Sequence, residues 1–316
     1  MAEQQKKRSN APFIIALLGL LGTIPLAWKL FLSGEAPRPP PAPVVVVDAG
    51  TEGPVKIVLS EVQGEVEIRD LGADGGWRPA RAGDELKSSV GVRTKDGAMA
   101  VMVGGERWEV RIEPGTEVEV GELSDSISRL LLANGMAHAK VKGGNRHAFE
   151  VKATQGDAVA RTDAGVFSIS HNGEGTVAVG AQEGEVEFVG KGKVVIVRAG
   201  QGSIIRPGQA PSDPTPLPSS LLLKVALPAI TRDNKPKVIV AGQVAPGTHV
   251  TVEGRNARVD ANGNFKLPIV VSEGKNVIDV KAVGVGNQAA ESKHTYELDR
   301  SVKNTSVKVP WKDQKR

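Results

Sequence analysis

The chain reads as an all-β protein, and three observations say so. Apolar and polar residues alternate with a period of two over many short runs, as strands with one buried face require. The dipeptides Asp74-Gly75, Asp96-Gly97, Asn134-Gly135 and Asn172-Gly173 punctuate those runs, and each supplies the positive φ that a tight hairpin needs. Gly is abundant at 37 residues, Val is frequent, and aromatics make up only 3% of the chain, a mixture suited to short strands and tight turns.

A helix is expected only at the start. Residues 11–32, from Ala11 to Leu32, form a 22-residue apolar run, and at about 1.5 Å per residue such a run crosses a hydrocarbon core of about 30 Å. Lys6, Lys7 and Arg8 precede it, whereas residues 33–43 carry only Glu35 and Arg38, so the N-terminus is expected in the cytoplasm and the bulk of the chain in the periplasm. Lys29 and Trp28 suit the outer interface, and Pro25 is tolerated in a span. A cleaved signal peptide is the alternative. Its small-x-small site, Gly34-Glu35-Ala36, would leave Pro37 as the first mature residue, so an uncleaved inner-membrane anchor is expected.

The chain has no cysteine. That excludes a disulfide framework, thiolate metal sites and a cysteine nucleophile. The net charge of +4 is located at the ends. The tail 301–316 holds Lys303, Lys308, Lys312, Lys315 and Arg316 against Asp313, and the first ten residues hold three cations against Glu3. What lies between is slightly acidic, so nucleic acid is not an expected partner. The tail itself reads as a solvated end.

Proline divides the rest. Residues 33–54 contain Pro37 to Pro43, a polyproline II spacer, and residues 206–219 carry five prolines. Two folded units are expected, 55–205 and 220–300, with 1–10 cytoplasmic and 301–316 a basic tail.

In the first unit Val62, Val66 and Ile68 fall on one face, and Gln63, Glu65 and Glu67 on the other. Arg107 to Glu113 alternates strictly, with Trp108, Val110 and Ile112 inward. A weak repeat runs through the unit: a Gly opening a strand, then a Gly followed by Asp or Gln. The copies are Gly64 with Gly83-Asp84, Gly135 with Gly156-Asp157, and Gly184 with Gly200-Gln201. The first two continue into Arg-Thr-x-x-Gly, as Arg93-Thr94 with Gly97 and Arg161-Thr162 with Gly165. Such repetition suits a stacked, solenoid- or sandwich-like arrangement of hairpins.

These residues carry a resemblance. Val62-x-Gly64-x-Val66, Trp77-x-Pro79, Gly83-Asp84, Val92-Arg93-Thr94, Gly97 and Pro114-x-Thr116 resemble the first half of a FecR domain. Phe149-x-Val151, Val166 to Ile169, Gly184 and Ala199-Gly200-Gln201 fit the second, so the resemblance covers about 58–205. It implies an all-β extracytoplasmic module, which in the founding members passes a signal to a cytoplasmic anti-sigma segment. Ten cytoplasmic residues are too few for such a segment. A shared module without the signalling circuit is therefore expected.

The second unit offers strands at 221–227, 237–242, 249–253, 256–259, 264–271, 276–283 and 294–298, which suggests a sandwich. The run Val244 to Val252, then Val259 to Phe265 and Glu273 to Ile278, resembles bacterial Ig-like repeats.

Chemistry is harder to find. Glu65 with Glu67, Glu117 with Glu119, and Glu185 with Glu187 lie on shared strand faces, which admits a glycosidase reading, but their alternation favours a solvated face. Asp260 to Asn264 lacks the calcium-loop spacing and reads as a turn. His138, His147, His171, His249 and His294 are scattered, without a ligand motif. No cofactor, metal or catalytic residue is expected. Trp108 reads as core; Trp77, after Gly75-Gly76, fits the core or a partner contact, with the core preferred. The expected function is a membrane-anchored, non-enzymatic binding or scaffolding protein of the cell envelope, whose partner is an envelope protein or a cell-wall polymer. A peptidoglycan or polysaccharide binder is the alternative; a carbohydrate-active enzyme or a signalling regulator comes further behind.

Overall fold

The computed structural model describes residues 55–72, 75–144, 147–227, 230–232 and 236–299. The expected span at 11–32, the spacer at 33–54, Asp74 and the tail at 301–316 lie outside the described residues. Among those described there is no helix long and apolar enough to cross a membrane, and every regular element is a strand. All of them belong to one compact unit.

The first sandwich is built from β1 (Ile57–Gln63), β2 (Val66–Asp70), β3 (Arg78–Pro79), β4 (Glu85–Leu86), β5 (Val90–Thr94), β6 (Met99–Gly104), β7 (Trp108–Ile112) and β8 (Glu117–Leu123). It continues through β9 (Ile127–Val141), β10 (Ala148–Ala153), β11 (Val159–Thr162), β12 (Gly165–His171), β13 (Val177–Gly190), β14 (Lys193–Arg198), β15 (Gln201–Ile205) and β16 (Thr215–Pro216). One sheet, here sheet A, orders them β4-β1-β6-β7-β9-β12-β13-β15-β16. The facing sheet B runs β3-β2-β5-β8-β9-β10-β11-β13-β14, and its β9–β10 pair is parallel. Strands β9 and β13 belong to both sheets. Their first and second halves pair with different partners.

The Gly positions of the sequence repeat mark these crossings. Gly64 sits between β1 in sheet A and β2 in sheet B, Gly135 in the middle of β9, and Gly184 in the middle of β13, all at positive φ. Asn134-Gly135 is therefore not a hairpin turn, as its dipeptide suggested. It is a kink within a 15-residue strand, and a Cβ on Gly135 would lie 2.2 Å from Thr116 Oγ1. The turn reading fails because a residue at positive φ can redirect a strand as well as reverse it. Gly97 and Gly173 do occupy turns between strands.

Between the sheets lies one continuous core. Alternation places Trp108, Val110 and Ile112 inward as the sequence requires. Trp108 of sheet A meets Phe149 of sheet B at 5.1 Å between ring centroids, and Phe149 meets Phe167 of sheet A at 6.2 Å, so aromatic contacts tie the layers together. Residues 206–219 run along the edge of this sandwich: β16 pairs with β15, and Leu217 N donates to Gly200 O at 2.8 Å.

The second sandwich has its own core, with Val240, Val250, Phe265, Val280 and Tyr296 at its centre. Its strands are β17 (Leu223–Ala226), β18 (Ile230–Arg232), β19 (Lys237–Val244), β20 (His249–Val252), β21 (Arg255–Ala257), β22 (Asn264–Val270), β23 (Gly274–Val283) and β24 (Ala289–Asp299). They form a three-stranded sheet, β17-β19-β22, over a five-stranded sheet, β18-β24-β23-β20-β21. Strand β18 was not foreseen.

Candidate functional site

The motif residues singled out in the sequence hold the sandwich together. Arg93 points out of sheet B and pairs with Glu67, which also lies 3.1 Å from Lys95. The Arg93 guanidinium, with Lys95 beside it, holds the Glu67 carboxyl below its ordinary pKa. The next residue, Thr94, points inward, where its hydroxyl donates to Glu113 O (2.7 Å) and accepts from Thr116 N (3.0 Å). The second copy repeats the division of labour: Arg161 reaches toward Glu150 at 4.0 Å, while Thr162 Oγ1 lies 2.8 Å from the carbonyl oxygens of Ala164 and Glu185. Asp84, after Gly83 at positive φ, accepts from Arg81 N at 2.9 Å and pairs with Arg78. Gly165 and Gly184 pack so closely that a Cβ on either would meet backbone oxygen, at 2.4 and 2.6 Å.

The paired glutamates other than Glu65, which lies in the bend before β2, sit on the outer face of sheet B among cross-strand neighbours of opposite charge. Register sets Arg93 beside Glu67 and Glu117, Glu150 beside Arg129 and Arg161, and Arg161 beside Glu187. Glu185 lies 3.0 Å from Arg198. The glycosidase reading needed two carboxylates facing each other across a cleft. Here Glu67, Glu117, Glu185 and Glu187 each have an arginine beside them, Arg93, Arg93, Arg198 and Arg161, and Glu185 and Glu187 share the rim of a depression with Arg161. Asp260 caps its own turn, accepting from the backbone N–H groups of Asn262 and Asn264 at 2.8 Å.

Trp77 is not core. It is half-buried on the outer face of sheet B, with the Arg69 guanidinium 4.7 Å and that of Arg93 4.1 Å from its ring centroid. With Trp108 filling the interior, the second indole is held by cation–π contacts instead.

The two sandwiches meet along a seam that the sequence did not reveal. In β12 and the first half of β13 alternation of burial disappears: Phe167, Ile169, Val177 and Val179 face the core, yet Ser168, Ser170 and Ala178 on the outward side are buried as well. The second sandwich covers them. Its backbone comes close because the outward residues are small. A Cβ on Gly180 would lie 2.3 Å from Val285 O, and one on Gly247 would lie 2.3 Å from Ala178 Cβ. Ser170 donates to Gly247 O and Gln182 to Val285 O, both at 2.6 Å. Asn172, Asn256 and the Arg258–Glu174 ion pair (3.0 Å) extend the contact.

A polar relay lies beneath. Gln182 Nε2 donates to Ser168 Oγ at 3.2 Å, Ser168 Oγ lies 2.7 Å from His138 Nδ1, and His138 Nε2 lies 3.2 Å from Glu113 Oε1, which also pairs with Arg111 at 2.9 Å. Burial pushes the Glu113 carboxyl up, but His138 and the cations around it outweigh that and hold its pKa below the ordinary value. The order serine, histidine, glutamate is that of a hydrolase triad, but Ser168 is 1% exposed and faces the partner sandwich. Beside the relay, His249 is buried with its pKa lowered to about 4 by desolvation, and Glu113 opposes that shift only in part. His171 donates from Nδ1 to Leu132 O at 3.1 Å, and desolvation lowers its pKa too. Both line an 80 Å³ polar cavity together with Ser170, Asn172, Thr248 and Arg258. Three of the five histidines, far apart in sequence, thus converge on one seam. Among the described residues no group of three or more acidic or imidazole side chains is arranged for a metal ion.

Residues 91–187 match the family model described as FecR protein, and residues 225–299 match that of glucodextranase, domain B. No curated protein matches the chain. Two crystal structures of a candidate anti-sigma factor from Parabacteroides distasonis are 17% and 18% identical, each over 39% of this chain and 59% of that one, with a TM-score of 0.34. A polysaccharide lyase is 9% identical over 76% of this chain and 40% of its own, with a TM-score of 0.20. The chain thus spans about three fifths of the anti-sigma factor's length.

Proposed function

We propose that this is an inner-membrane protein, anchored by residues 11–32, that presents its FecR-matching sandwich to the periplasm as a non-enzymatic binding or scaffolding module of the cell envelope. The observation that carries the reading is the unequal fate of the two outer faces. Sheet A is covered by the second sandwich along β12 and β13, whereas sheet B lies open and displays Trp77 between Arg69 and Arg93. Among the described residues this face is a broad, laced sheet with one shallow depression, of about 360 Å³ beside Arg161, Glu185 and Glu187, and such area suits a protein partner better than a small molecule. Aromatic and arginine side chains are the residue types most often central to such contacts.

The test is photo-crosslinking in cells from a probe amino acid at Lys152 or Arg161 on that face. Capture of one specific envelope protein supports the reading. Crosslinks that scatter among abundant proteins, at the same level from both positions and from a probe at Lys275 in the second sandwich, would end it. Release of the full chain from membranes by alkaline carbonate would separately remove the anchor.

A second reading, binding of a polysaccharide, draws on the match of residues 225–299 to the family model described as glucodextranase, domain B. It also draws on a groove of about 770 Å³ over β17, β19 and β22, where Lys224, Gln243, Asn264 and Lys266 stand over a floor of Ala226 and Ala241. Co-sedimentation with peptidoglycan, lost in Lys224→Glu and Lys266→Glu, distinguishes it.

A further inference from the structure

We propose that the seam between the two sandwiches is an acid-operated latch: proton uptake by the imidazoles gathered there releases the second sandwich from sheet A and uncovers the face formed by β12 and β13. The geometry supports this in three ways. Where the backbones come closest the contact is made of small residues and neutral hydrogen bonds, Ser170 to Gly247 and Gln182 to Val285, with the Arg258–Glu174 ion pair beside them, so these closest contacts offer no counter-charge to a buried imidazolium. The Nε2 atoms of His171 and His249 are buried and accept no hydrogen bond in the structure, so a proton placed there is unsolvated until the seam opens. Finally, a polar cavity already separates the two surfaces at this point and offers water a route in.

The charges facing His249 leave the latch closed at neutral pH and opposed to a cation. From β7 comes Arg111 and from the residue just after it Glu113, which attracts a proton on His249 and is engaged with Arg111. From β9 comes His138, which repels one. From β12 comes His171, and from the second sandwich Arg258, held by Glu174. Glu113 is thus the anion that faces these imidazoles, and it is shared among Arg111, His138 and His249. With His249 titrating at about 4 when closed and at about 6.5 when open, the ratio of open to closed chain rises about thirty-fold between pH 7.5 and pH 5 from this residue alone.

The experiment uses the full chain in detergent. Because it has no cysteine, Lys152→Cys and Lys275→Cys give a unique spin-label pair, one on each sandwich, and their distance distribution is recorded from pH 7.5 to pH 5. A second, broader population that grows by tens of fold on acidification, and that shrinks in His249→Gln and vanishes in His171→Gln/His249→Gln, is the expected result. Distributions that coincide at both pH values, or a double variant that opens as fully as the parent, overturn the proposal. Hydrogen exchange on the unsubstituted chain stands independently of whether those variants fold. Peptides from 166–182 and 245–258 should lose protection at pH 5, after correction for the intrinsic rate, while β7 keeps its own. Equal protection of all three at both pH values overturns the proposal as well.

Discussion

A single methyl group placed at Gly180 should uncouple the two sandwiches without harming either. Gly180 has ordinary extended backbone within β13, so alanine brings no conformational strain. Its Cβ would stand 2.3 Å from Val285 O and 2.7 Å from the carbonyl carbon. A carbon and an oxygen tolerate about 3.3 Å, so the turn between β23 and β24 must withdraw by about 1 Å, more than a hydrogen bond survives. The bonds from Gln182 to Val285 and from Ser170 to Gly247 are the ones exposed to that movement. At about 1 kcal/mol each, with the contact around them, the docking loses about 2–3 kcal/mol, or roughly 30- to 150-fold in its equilibrium. Calorimetry of the full chain reads the effect directly. The parent should melt with its sandwiches coupled, and Gly180→Ala should show the second sandwich melting earlier, by about 10 °C or more, while the first holds its position. Gly76→Ala, whose Cβ meets nothing within 4 Å, is the control. An unshifted trace for Gly180→Ala, or one in which the first sandwich falls and the second does not, would show that the seam is not the coupling element.

Gly135→Ala must take an L residue through φ +97° and drive Cβ to 2.5 Å from Thr116 Cα, so a loss of about 3 kcal/mol or more in urea unfolding is expected, confined to the first sandwich. Phe167→Ala removes the fully buried ring that ends the aromatic series from Trp108 and should destabilise that sandwich by about 3–5 kcal/mol in the same assay. His249, with a folded pKa of about 4 below an unfolded value of about 6.5, stabilises the chain fully above pH 6.5. That contribution, about 3 kcal/mol, is lost as pH falls toward 4, so midpoints should drop across that window and flatten in His249→Gln. Trp77→Ala should change stability by about 1 kcal/mol or less while removing the emission of one of the chain's four tryptophans, since its ring rests on Arg69 and Arg93 at the surface.

Much of the strand framework was legible because burial on one face writes itself into the sequence with a period of two. Trp108, Val110 and Ile112 are the clearest case, and the strands of the second sandwich were found within a few residues of their observed ends. The seam was not legible for the same reason. Ser168, Ser170, His138 and Gln182 occupy outward positions, and a polar residue at an outward position looks solvated until another sandwich is laid over it. One signal was available: from Ser168 to Gly180 the outward places include Ser168, Ser170, Ala178 and Gly180, while the next ones along β13 hold Glu183, Glu185 and Glu187. Small, uncharged side chains in a row on an outer face mark a surface built for close backbone approach. Strand β18 escaped notice because three residues carry no period. Trp77 was misplaced because composition says how many aromatics a chain has and not which of them two arginines will hold at the surface.

Strands β9 and β13 each pass through both sheets, and this has a mechanical consequence. A sandwich whose sheets meet only through side chains can shear, one layer sliding over the other under load. Here two continuous strands cross-stitch the layers near their middle, so relative sliding would have to stretch covalent backbone. Force entering at either end is carried as tension in those two strands, and the module yields as a whole or not at all. For a module held between two points of attachment, that is the behaviour of a strut.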